Sequence, residues 1–74
     1  MNNVDIRDKL KAFLWDKGYS QKRVAEMANL SDSKLSSILL KRRKLDANEL
    51  FDICNAIEIT PSELREYKRE DKAS

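Results

Sequence analysis

The sequence predicts an all-α fold, a compact bundle of five short helices. Three observations carry this. Apolar residues recur at three- and four-residue spacing, the period of a helix with one buried face. Few β-branched runs appear. Glycine and proline occur once each, at Gly18 and Pro61, both where a helix is expected to end or begin. At 74 residues the chain is expected to form one small domain over 1–74. Its core supplies only about 3–5 kcal/mol beyond the entropy cost.

The first helix is expected over residues 4–17, with Ile6, Leu10, Phe13 and Leu14 on one face and Gly18 supplying the left-handed residue that closes it. Ser20 caps a second helix that runs to about residue 28 and buries Val24, Ala25 and Ala28. Asn29, tolerant of positive φ, takes a tight turn, and Leu30 plugs the corner. Ser31 caps a third helix that buries Leu35, Ile38 and Leu39. Residues 41–44 form a polar connector. Asp46 and Glu49 have capping-box spacing and open a fourth helix with Leu50, Ile53, Cys54 and Ile57 inward. Thr60, Pro61 and Glu63 open a fifth, which buries Leu64 and engages Tyr67. Its charged end, residues 68–74, is expected to fray.

Composition excludes several classes. The one cysteine, Cys54, allows no internal disulfide and fits a reducing, cytoplasmic setting. With no histidine, neither a zinc site nor a serine–histidine pair is available. Ser31, Ser33, Ser36 and Ser37 therefore have no base, and the carboxylates are scattered. No enzyme, metal or cofactor is expected. The charged N-terminus argues against a signal peptide, and no apolar run reaches the ~18–20 residues of a membrane span. Nor does the length leave room for an effector-binding or self-cleaving domain.

Net charge is +2, unevenly spread. Residues 1–19 carry four bases and three acids, net +1. Residues 20–44 carry seven bases and two acids, net +5, and residues 45–74 four bases and eight acids, net −4. The basic segment coincides with the second and third helices and the loop that follows. Residues 20–40 have the layout of a helix-turn-helix, which offers its second helix to the DNA major groove.

Gly18, the Ser20-Gln21 opening, Ala25, Asn29 in the place usually held by glycine, and Leu30-Ser31 form a set in register. With Leu35, Ile38, Leu50, Ile53, Ala56, Ile57, Ile59 and Thr60-Pro61, the chain resembles the Cro/repressor type of helix-turn-helix (XRE-like, lambda-repressor-like) over roughly residues 6–64. The resemblance implies a five-helix DNA-binding domain of a phage or bacterial regulator, often homodimeric. It also implies that Gln21 touches phosphate, with Ser20 and Lys22 beside it, and that Lys34 and Lys41, Arg42, Arg43 and Lys44 reach the flanking backbone. The alternative for residues 41–44 is a solvated loop.

The matching base-reading positions are Asp32, Ser33, Ser36 and Ser37. None can make the bidentate pair of an Arg, Lys, Asn or Gln with a base, worth about 1–3 kcal/mol. Asp32 can accept from a cytosine amino group, or simply stabilise the helix dipole by about 0.3–1 kcal/mol. Leu14 and Leu39 stand where the family often pairs a base with an acid, and are expected to touch each other instead. Trp15 and Leu40 stand where polar residues are usual. They mark a partner surface, or Trp15 lies flat over the edge of the first helix. Phe51 and Tyr67 are expected to close the core or a homodimer seam.

Two functions compete. One is a transcriptional regulator that binds operator DNA, as a repressor would. The other is an antirepressor that keeps the scaffold and blocks another regulator, such as a phage repressor, through Trp15 and Leu40. A DNA-binding antitoxin has no specific support. The partners admitted are double-stranded DNA, a repressor protein and a second copy; no membrane and no small-molecule ligand is expected.

Overall fold

The structure, a computed structural model, describes residues 5–68. Five α-helices follow one another, α1 Ile6–Lys17, α2 Gln21–Met27, α3 Asp32–Leu39, α4 Ala47–Ala56 and α5 Pro61–Glu66, with no strand among the described residues. α1 packs on α3 and α5, α2 on α3 and α4, and α4 on α5. Each helix sends at least one side chain into complete burial: Leu10, Val24, Leu35 with Ile38, Ile53, and Leu64. These meet in one apolar centre with no buried polar side chain among the described residues.

Every helix starts on a side chain that replaces a missing backbone partner. Asp5, Ser20, Ser31, Asp46 and Thr60 all hold extended backbone and accept from an N–H two or three residues on. At Asp46 and Thr60 the capping box is complete, with Glu49 and Glu63 accepting from the cap's own N–H. α1 thus opens at Ile6 rather than at residue 4, because Asp5 is spent as the cap; residue 4 lies outside the described residues. The fraying expected of residues 68–74 falls, for 69–74, outside them too.

Gly18, Asn29, Lys41 and Glu58 hold φ of 74°, 65°, 61° and 60°. At each the chain leaves the preceding helix by the same pair of bonds. Tyr19, Leu30, Arg42 and Ile59 donate back to the carbonyls of Leu14, Ala25, Ser37 and Cys54. This six-to-one closure with a left-handed residue is the Schellman motif.

The far end of the chain is fastened to α1. The Tyr67 ring meets Phe13 edge-on, its hydroxyl donates to Asp16 at 2.6 Å, and the Lys9 ammonium donates to the Tyr67 carbonyl. Tyr67 therefore helps close the core. Phe51 does not: it is 53% exposed, because the buried stripe of α4 is Ile53, Cys54 and Ile57 and position 51 falls on its outer side. Burial makes Cys54 a poor nucleophile by pushing its thiol pKa up.

Candidate nucleic-acid interface

The turn between α2 and α3 is built from Ala28, Asn29 and Leu30. Ala28 is small enough to be buried where the helices meet, and half-buried Leu30 packs against the core from the corner. Ser31 then starts α3 by accepting from the Lys34 N–H at 3.0 Å. With Leu35, Ile38 and Leu39 buried, the opposite side of α3 is left outward. Asp32, Ser33 and Lys34 are exposed, and Ser36 and Ser37 are half-buried. The four candidate base-reading positions thus lie together along one helix of eight residues.

At its start α3 is tied to the start of α2. The Gln21 side-chain amide donates to an Asp32 carboxylate oxygen at 3.2 Å. The sequence reading names both residues but not this bond. Their separation of eleven positions acquires meaning only once the turn folds the two N-termini side by side. The bond leaves Gln21 with a second amide proton and its carbonyl, and Asp32 with its other oxygen.

The basic candidates divide into two groups. Lys22, Lys34, Arg42 and Lys44 are exposed. Lys41 donates to Asp8 at 3.2 Å. Arg43 reaches both oxygens of Glu49 at 3.0 Å and holds its carboxyl below the usual range. Its backbone carbonyl accepts from Arg7, whose guanidinium also binds Asp5. Within residues 41–44, Lys41 and Arg43 are thus each paired with a carboxylate of the fold, while Lys41, Arg42 and Lys44 are exposed. Ser20 is exposed and caps α2, accepting from the Arg23 N–H.

Trp15 and Leu40, paired in the sequence analysis as a partner surface, line one groove. It runs between α1 and the end of α3, encloses about 670 Å³, and is floored by Ala12, Leu14 and Leu39. The two leucines expected to touch are both buried here, where α1 meets α3. Trp15 does not lie flat over α1; it is 76% exposed. It follows the buried Leu14 by one position, which turns it about 100° away from the core stripe. Tyr19, absent from the sequence-based candidates, joins the groove, and so do Gln21 and Ser36. An aromatic residue just past the helix-ending glycine was the available signal.

A family model of the Cro/C1-type helix-turn-helix DNA-binding domain matches residues 9–70. No curated protein matches the chain. Among solved structures the fold is similar to that of the clp gene regulator ClgR from C. glutamicum, with a TM-score of 0.75 at 24% identity, covering 80% of this chain and 77% of that one.

Proposed function

The chain belongs to the Cro/C1-type helix-turn-helix DNA-binding domain family, and from that premise we propose that it is a transcriptional regulator that seats α3 in the major groove of operator DNA. The observation that carries the reading is α3 itself, packed on α2 by one side and presenting Asp32, Ser33, Ser36 and Ser37 on the other.

In this arrangement Gln21 has two tasks. One amide proton holds Asp32, and the other is available to a phosphate oxygen of the flanking strand. The exposed Lys22, Lys34, Arg42 and Lys44 supply the remaining backbone contacts. An ionised Asp32 only accepts hydrogen bonds. In the major groove the donors it can meet are the amino groups of cytosine and adenine, and an acid suits cytosine best. The serines discriminate little. An eight-residue helix is about 12 Å long and covers only a few base pairs. Specificity then comes from DNA shape and from a second copy on a half-site about 34–36 Å away.

Titration against the gene's own upstream DNA, with random duplex as competitor at low and moderate salt, tests the reading. A preferred site that survives excess random DNA is expected. Equal, weak binding to both would end it.

A further inference from the structure

The loop between α3 and α4 carries the exposed Arg42 and Lys44, yet little of its main chain is held by main chain. The Arg42 N–H donates to the Ser37 carbonyl, and the next such bond along the chain runs from Leu50 to Asp46. Among the described residues no backbone–backbone bond uses residues 43–45. Leu45 packs on the core at the far end. Between these anchors the loop keeps one shape only if side chains supply the missing partners.

One such partner comes from α1. The Arg7 guanidinium donates to the Arg43 carbonyl at 3.0 Å, between the two exposed cations in the chain. The same guanidinium is fixed on its other side. Its Nε and one terminal nitrogen donate to the two oxygens of Asp5 at 3.0 and 2.8 Å, and Asp5 is itself held as the cap of α1. A planar fork serves both partners at once, which a single ammonium cannot do. The adjacent tie, from Lys41 to Asp8, is an exposed ion pair and holds weakly. The grip on the loop's main chain therefore falls to Arg7.

Arg7 is poorly suited to meet DNA itself. Three of its nitrogens are engaged and its charge is matched by Asp5. Its side chain is only 23% exposed. Arg42 and Lys44, by contrast, stand outward. Cations on a loop already held in place lose less freedom on binding than cations on a wandering one.

We propose that Arg7 is a positioning residue for DNA binding: from α1 it holds the Arg43 carbonyl, and so presents Arg42 and Lys44 to the phosphates without touching them. This rests on the DNA-binding reading.

A double-mutant cycle tests it. Arg7→Lys keeps the net charge and loses the fork. Affinity for a random-sequence duplex is measured for the parent, for Arg7→Lys, for Arg42→Gln with Lys44→Gln, and for all three changes combined. Each protein is used at a temperature where circular dichroism shows it fully helical. Arg7→Lys should weaken binding about fivefold in the parent, the scale of one hydrogen bond. It should cost less than about twofold once both cations are glutamine. Without DNA, amide order parameters of residues 42–44 should fall in Arg7→Lys while those of α3 hold.

An equal loss in both backgrounds, no loss in either, or unchanged order in the loop would overturn the positioning role. Arg7→Met that lowers the salt slope by about 0.9 in the double-glutamine background would overturn it too, making Arg7 a phosphate contact. A parent that binds no duplex at all would sink the DNA reading and this role with it. A parent that binds, with an additive cycle, would sink this role alone.

Discussion

At the scale of single residues, the Gln21–Asp32 bond separates two kinds of contribution to DNA binding. In the proposed complex Gln21 would meet the backbone, so its loss should weaken every duplex alike. Asp32 would meet the base edges there, so its loss should act by sequence. We expect Gln21→Ala to reduce affinity for preferred and random duplexes by a similar factor. Asp32→Ala should bind random DNA more tightly, because a carboxylate leaves the vicinity of the phosphates. It should also lose about 1–3 kcal/mol of discrimination at one base pair. Binding curves against a set of single-base variants check both; an Asp32→Ala profile identical in shape to that of the parent would assign this residue to helix-dipole stabilisation alone. The identities of these residues were legible in the sequence from their places in the motif. Their bond was not, because nothing in one dimension brings positions 21 and 32 together. Trp15 and Leu40 are a similar case. Their exposure followed from their places in the family pattern, whereas the shared groove with Tyr19 depends on how α1 crosses the end of α3.

Among the elements, helix beginnings were far easier to read than helix ends. Ser20, Ser31, Asp46 and Thr60 are residues whose short polar side chains suit a cap, and all four act as caps. Gly18 and Asn29 also carry a signal for the left-handed residue that ends a helix. Lys41 stands where glycine is usual, but Glu58 carries no signal of its own. Its positive φ follows from its neighbour: Ile59 donates to the Cys54 carbonyl and packs back on the core, so the chain must turn at 58. A side chain at positive φ costs about 1 kcal/mol or more, which glycine avoids. The larger unfolded-state entropy of glycine returns part of that gain. Lys41→Gly and Glu58→Gly should therefore each stabilise by roughly 0.5–1 kcal/mol, or raise Tm by about 2–8 °C in a domain this small. The Lys41 variant should gain less, having lost its exposed ion pair with Asp8. Conversely Ser31→Ala should cost about 1 kcal/mol and loosen the first turn of α3, where Asp32 stands. Thermal melts followed by circular dichroism measure all three, and a lower Tm for Glu58→Gly would contradict the account of the helix ends.

Across the whole molecule, charge is sorted into a basic middle and an acidic final third, and part of the basic charge works inside the fold. Arg42 and Lys44 are exposed, whereas Arg43 is bound to Glu49. Neutralising Arg42 or Lys44 should lower the salt slope of DNA binding by about 0.9 each, while Arg43→Gln should chiefly lower stability. Arg43 also belongs to a chain of contacts that joins the start of α1 to the start of α4. Asp5 binds Arg7, Arg7 donates to the Arg43 carbonyl, and Arg43 binds Glu49 at the start of α4. This network has a pH signature. The Arg7 guanidinium holds Asp5 down to about 2, and Arg43 lowers Glu49 in the same sense. A carboxylate whose folded pKa lies below its unfolded one stabilises the fold fully above the ordinary value. It loses that contribution as pH falls through the folded value. Stability should therefore decline between about pH 4 and pH 2, with no side-chain transition between pH 5 and 8 because histidine is absent. Asp5→Asn isolates the first link, since asparagine caps a helix as well as aspartate but does not titrate. The Asp5–Arg7 pair is partly solvated, so screening keeps the effect small. The variant should be slightly less stable than the parent at pH 7 and converge with it near pH 2. Urea midpoints at pH 7, 4 and 2 measure the gap, and a gap that stays constant across them would remove Asp5 from the account of acid unfolding.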